Sequence, residues 1–149
     1  MRIALGADHA GYLLKDRLRE ALERWGHTVS DLGTNSADSV DYPDFARRVG
    51  TAVAAGEADF GVLVCGTGIG MAISANKVHG VRAACCNNQF NARLARAHND
   101  ANVFTVGARE VAPEHAEAIL EVFLATAFEG GRHQRRIDQI SEAERESRR

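Results

Sequence analysis

The run Phe60-Gly61-Val62-Leu63-Val64-Cys65 is apolar from end to end. A strand with one wet face alternates apolar and polar residues. A continuous run marks a strand covered on both faces, as in parallel sheets with helices on each side. Val81 to Cys86 repeats the pattern. Around these two runs the chain alternates between strand-like and helix-like stretches. Arg2 to Ala7 reads as a first strand, and Asp8-His9-Ala10-Gly11 as the turn after it. A helix is predicted from Tyr12 to Trp25. Leu14, Leu18, Ala21, Leu22 and Trp25 form its inner stripe, and Lys15, Asp16, Arg19 and Glu20 the opposite face. His27 to Leu32 is a second strand, and Gly33 to Asp41 a polar loop. Tyr42-Pro43 opens a helix with Phe45, Ala46, Val49 and Val53 inward, Pro43 being tolerated in the first turn.

After the Phe60–Cys65 strand comes a short helix, Met71 to Lys77. After the Val81–Cys86 strand comes Asn88 to His98, with Phe90, Leu94 and Ala95 inward. Val103 to Val106 is a further strand. Glu114 to Phe128 is a long apolar helix, broken by Glu129-Gly130-Gly131. Arg132 to Arg145 is a last, charged helix. This β-α alternation predicts a doubly wound, Rossmann-like three-layer αβα fold: a parallel sheet of about five strands, plus a C-terminal helix. With no linker or low-complexity tract, residues 1–149 are expected to be one domain.

Net charge is −2, without a long basic run before the C-terminus, which argues against nucleic acid as a partner. No apolar run is long enough to span a membrane. Cys65, Cys85 and Cys86 are odd in number and lack a CxxC spacing, so neither a disulfide framework nor a metal site is expected. Unpaired thiols and the lack of a signal-peptide core at Met1-Arg2-Ile3 fit a cytoplasmic protein.

The chemistry concentrates at Cys65-Gly66-Thr67-Gly68-Ile69-Gly70. Glycines at a strand-to-helix turn let amides approach a ligand, and a helix start favours an anion. Cys65 ends its strand just before that helix, a position that favours the reactive thiolate. A dinucleotide fingerprint needs G-x-G-x-x-G. Here the third position is Met71, and no Walker lysine follows, so a small oxyanion fits better than NAD or a nucleoside triphosphate. Asp8 and His9 follow strand one as Cys65 follows strand three, so both groups should lie at one sheet edge, where open parallel sheets bind ligands. Taken singly, each candidate has a plain structural role. Asp8 can cap a helix, His98 can complement a helix dipole, and Asn99 can be a left-handed cap. Cys85 and Cys86 read as buried hydrophobes. Arg132 and Arg136, at i and i+4, can form a solvated face or grip a phosphate together.

Together the segments Gly6-Ala7-Asp8-His9-Ala10-Gly11, Asp41-Tyr42-Pro43, Cys65 to Gly70, Ala75-Asn76-Lys77, Arg82-Ala83, His98 to Val103 and Glu129-Gly130-Gly131-Arg132-His133 resemble the type-B ribose-5-phosphate isomerases of the ribose/galactose isomerase family. The resemblance covers essentially the whole chain. It implies an aldose–ketose isomerase of the pentose phosphate pathway. Such an enzyme interconverts D-ribose 5-phosphate and D-ribulose 5-phosphate through a cis-enediolate, without metal or organic cofactor. It implies Cys65 as general base at C2, assisted by Thr67. The amides of Gly66, Thr67, Gly68, Ile69 and Gly70 become an anion hole. His98 becomes the ring-opening acid/base, with Asp8 beside it. His9, Arg132 and Arg136 become phosphate ligands. Asn99 and Arg109 become substrate-binding groups given by a second subunit of a homodimer, or of a dimer of dimers. One branch of the family carries a glutamate base just after the glycine loop. Met71, Ala72, Ile73 and Ser74 offer no carboxylate, so the cysteine branch is implied. Isomerases of allose 6-phosphate or galactose 6-phosphate, and a non-catalytic sugar-phosphate-binding module, are the alternatives. The module would need neither Cys65 nor His98.

Overall fold

The structure, a computed structural model, describes residues 1–148. Five strands form one parallel sheet: β1 (Arg2–Ala7), β2 (Thr28–Asp31), β3 (Phe60–Cys65), β4 (Ala83–Cys85) and β5 (Val103–Gly107). The order across the sheet is β2-β1-β3-β5-β4. The helices are α1 (Tyr12–Arg24), α2 (Tyr42–Ala54), α3 (Ile69–Ala75), α4 (Gln89–Ala97), α5 (Pro113–Ala125) and α6 (Arg132–Glu146).

The continuous apolar strands are covered on both faces, as their pattern demands. On one face Leu5, Val62, Val64, Phe104 and Val106 pack with Leu18 and Leu22 of α1, Ala92 and Ala95 of α4, and Ile119, Leu120 and Phe123 of α5. On the other, Ala4, Leu63, Cys65 and Val103 pack with Phe45, Ala46 and Val49 of α2 and Met71 and Ala75 of α3. This is the three-layer αβα arrangement expected from the alternation. The chain turns from β1 outward to β2, then crosses back to β3 on the other side. That reversal falls at the carboxyl ends of β1 and β3, the place where open parallel sheets bind ligands. α6 buries only His133 and Ile137. Its far end is tied down by Glu144, whose carboxylate accepts from the Gly80 N–H at 3.2 Å and pairs with His79 at 3.0 Å.

Several expectations shift. α3 begins two residues earlier than the pattern suggested, directly on the glycine loop. β4 is shorter than Val81–Cys86, and the Asn76 amide brackets its start by bonding both N–H and C=O of Ala83. α5 stops at Ala125, where Thr126 takes an extended backbone. Lys15, expected on the outer face of α1, is fully buried. Its ammonium donates to Asp31 at 2.6 Å, Asn35 at 2.9 Å and Asp16 at 3.0 Å. Phe90, expected inward, is 61% exposed at the start of α4. Cys85 is half-buried rather than sequestered.

Candidate active site

The loop after β3 is shaped by its glycines. Gly68 takes φ +81°, and a Cβ there would come within 2.9 Å of the Val106 backbone. A Cβ on Gly70 would meet the Tyr42 ring at 2.8 Å. The backbone therefore threads between β5 and the start of α2, where a side chain has no room. The turn aims the Gly68 N–H at Cys65 Sγ at 3.1 Å, setting a fixed dipole on the sulfur. Thr67 Oγ1 accepts from the Ile69 N–H at 3.2 Å. The amides of Gly66, Thr67 and Gly70 have no partner among the described residues, so they remain for an anion.

Asp8 stands beside this loop, since its own N–H donates to Val64 O at 3.2 Å. It is buried. Oδ1 accepts from the Ala10 and Gly11 amides at 3.0 Å each, closing the turn before α1, and Oδ2 has no partner among the described residues. His9 Nδ1 accepts from the Val40 N–H at 3.2 Å. That bond ties the imidazole to the 33–41 loop and so holds the loop against the turn after β1. Arg109 corrects an expectation. It was to come from a second subunit, but its N–H donates to Gly66 O at 3.0 Å, and its guanidinium lies against Gly66 of the same chain.

Three further residues build this edge. The Tyr42 ring covers Gly70. Asn87 donates to Thr67 O at 3.1 Å and accepts from the Gly107 N–H at 2.9 Å. Thr105 Oγ1 donates to Gly68 O at 2.7 Å. Tyr42 lies in Asp41-Tyr42-Pro43, a helix start and one of the segments that carry the family resemblance, while the other two sit in a turn and inside a strand, where no local pattern marks them. Burial pushes the Cys85 thiol above its usual range, with the Thr105 hydroxyl opposing. Burial, with Cys85 beside it, pushes Cys86 up to about 12.

The remaining candidates lie elsewhere. The carboxyl end of β4 touches the glycine loop through Cys85 and Asn87. α4 then runs back along the sheet for nine residues, roughly 14 Å. His98 and Asn99 therefore sit at the opposite sheet edge, where Arg82 at the start of β4 donates to Asn99 O at 3.2 Å. The α5–α6 connection reaches the same place, because the Glu129 N–H donates to Ala97 O at 3.0 Å. His98 stacks on His133 with centroids 4.2 Å apart and planes at 11°. Arg132 and Arg136 extend from the first turns of α6, and neither has an ion-pair partner among the described residues. Burial pushes His133 below the usual imidazole range. His98, Arg132 and Arg136 push the same way, and Glu129 opposes them. One chain thus places the candidate residues in two groups: Asp8, His9, Cys65 to Gly70 and Arg109 at one edge, and His98, Asn99, Arg132 and Arg136 at the other.

The model of the ribose/galactose isomerase family matches residues 3–140. This chain belongs to that family. Family relatives include ribose-5-phosphate isomerase B of Escherichia coli K12, 46% identical over 143 residues that make up 96% of each chain. The structure of Clostridium thermocellum ribose-5-phosphate isomerase B superposes with a TM-score of 0.98 at 46% identity, covering 99% of both chains. The Mycoplasma genitalium ribose-5-phosphate isomerase B, whose structure holds ribulose-5-phosphate, superposes with a TM-score of 0.93 at 44% identity over 97% of both chains. The family's fold is therefore complete in this chain.

Proposed function

We propose that this protein is an aldose–ketose isomerase interconverting D-ribose 5-phosphate and D-ribulose 5-phosphate. The observation that carries the reading is Cys65 Sγ held at 3.1 Å by the Gly68 amide, beside a turn whose Gly66, Thr67 and Gly70 amides have no partner among the described residues. Family membership and the ribulose-5-phosphate held by the Mycoplasma relative support the substrate.

In this scheme Cys65 takes the C2 proton of the open-chain aldose. The C2 electrons form the C1=C2 bond, and charge moves onto O1. Fixed amides of Gly66, Thr67 and Gly70 receive that charge as it develops, so they stabilise the transition state more than the ground state. The Cys65 thiol then returns its proton to C1. The O2 hydroxyl proton passes to O1, leaving the C2 carbonyl of the ketose. Thr67 lies against O1 and O2. Asp8, with its free Oδ2, holds a ring hydroxyl. His98 opens the furanose by protonating the ring oxygen as its bond to C1 breaks, while the O1 hydroxyl gives its proton to solvent and becomes the C1 carbonyl. His9, the guanidinium of Arg109 and the arginines Arg132 and Arg136 hold the phosphate, which does not react and so supplies positioning energy. Asn99 binds the sugar.

Cys65 and His98 cannot serve one sugar from opposite sheet edges. The site is therefore completed by a second copy, whose His98 edge faces the Cys65 edge of the first in a homodimer. Three free thiols fit a reducing, cytoplasmic setting, and the shared layers fit one domain over the whole chain. Steady-state assay of ribose 5-phosphate tests the reading. Cys65→Ala is expected to lose at least about 10²-fold in kcat, the scale of a removed general base. Cys86→Ala, a buried thiol facing neither group of residues, keeps the chemistry. Near-normal kcat in Cys65→Ala would remove the base from the scheme.

A further inference from the structure

We propose that His98, Glu129 and His133 form a binding site for a divalent transition-metal ion, zinc above all, and that an ion held there inhibits the enzyme. Glu129 stands four residues before His133 and His98 comes from the end of α4, and one imidazole nitrogen of each histidine and a Glu129 carboxylate oxygen lie within 4.8 Å of one another. Glu129 Oε2 is 3.5 Å from His133 Nε2 and 3.8 Å from His98 Nε2. Zinc bonds to nitrogen and oxygen of about 2.0–2.2 Å put tetrahedral ligand atoms roughly 3.4 Å apart, so a small contraction closes the set. Two imidazoles and one carboxylate suit zinc, and a fourth position stays open for water.

A second observation points to a ligand independently. The His133 side chain is only 9% exposed, and its Nε2 is left with a long ion-pair contact of 3.5 Å to the Glu129 carboxylate. A buried polar ring is ordinarily bonded. Its Nε2 faces the Glu129 carboxylate, which is 60% exposed and free to swing while its backbone is pinned to Ala97. Parallel stacking sets the two imidazole lone pairs side by side rather than converging. The more exposed ring, His98, has to tilt out of the stack to bind. Arg132 and Arg136 oppose a cation, and Glu129 offsets one charge. The site is thus reversible and moderate in strength. The inhibitory half of the proposal rests on His98 opening the sugar ring, because an ion on Nε2 takes the lone pair that step uses.

The chelator-stripped protein is titrated with Co²⁺ and then with Zn²⁺. The expected result is one Co²⁺ per chain, with the visible bands of a tetrahedral site, no thiolate charge-transfer band, and displacement by Zn²⁺. Binding persists in Cys65→Ala. It falls at least about tenfold in Glu129→Gln and in His133→Gln, since losing even an outer-shell partner costs roughly 10–100-fold. Glu129 is at the surface, so its variant decides the matter should His133→Gln fail to fold. No stoichiometric uptake, or a thiolate band that vanishes in Cys65→Ala, overturns the site. Zinc that binds as described but leaves isomerisation untouched overturns the inhibition and the ring-opening role of His98, and leaves the metal site standing.

Discussion

Gly70 shows how little freedom the reacting end of the molecule has. A single methyl there would sit 2.8 Å from the Tyr42 ring, so either the ring or the amide-bearing loop must move. Gly70→Ala is expected to lower kcat/KM by at least about tenfold, about 1.4 kcal/mol of transition-state stabilisation. Its thermal midpoint should change little, because Tyr42 is 41% exposed and can swing outward. Steady-state kinetics alongside thermal melts check both halves, and unchanged kinetics would take Tyr42 off the site. The thiols give a second test. Cys86 is pushed up to about 12, so it stays protonated through the neutral range and should resist alkylation between pH 7 and 9. Mass spectrometry of the native protein after iodoacetamide reads this directly, and rapid labelling at Cys86 would contradict its burial. At this scale Cys65 was legible because a thiol at a strand end before three alternating glycines is locally unusual. Asn87 and Thr105 were not, because each matters only through a tertiary contact, and Tyr42 stood in a recognisable segment whose contact with Gly70 no spacing reveals.

At the scale of elements, α1 shows where periodicity fails. Lys15 sits in sequence beside Asp16, and the helical wheel assigns both to solvent. Asp31 at the end of β2 and Asn35 in the following loop draw the ammonium inside instead. Nothing in the spacing of α1 reveals partners on another element. This buried lysine anchors one end of the 33–41 loop, and His9 holds the other at Val40. Lys15→Met leaves Asp31 only the distant Arg19, whose Nε stands 3.9 Å from the carboxylate. It is expected to destabilise the fold by about 3 kcal/mol, the lower end for a broken buried pair, since Asp31 retains some solvent. Urea denaturation measures that loss. The freed loop should also become the first site of proteolytic nicking, and an unchanged midpoint would show the pair to be dispensable. Phe90 missed its expected place for another reason. It lies in the first turn of α4, beyond the sheet edge, where an inward-facing position has no core to meet. α6 was legible as an element poor in core residues, and His133 and Ile137 are all it buries.

For the whole molecule, the alternation of strands and helices carried the layers but not the strand order. β5 lies between β3 and β4, and no local pattern encodes that insertion. The order decides function, because α4 returns from β4 and carries His98 to the edge opposite Cys65. The two groups of candidate residues are thus separated by the sheet itself, and the proposed homodimer would join them across its interface. Mixing two inactive variants tests this. In a two-fold dimer of Cys65→Ala and His98→Ala subunits, one site collects both defects and the other has neither. Random co-refolding of equal amounts makes about half the dimers mixed, each with one intact site of two. Activity should therefore return to about a quarter of the wild-type site count, from two preparations that are inactive alone. Light scattering on the same samples must report dimers or larger. An active monomer would refute the shared site outright. Mixed dimers that stay inactive would place Cys65 and His98 of one site on a single chain, against the sheet edges on which each now stands.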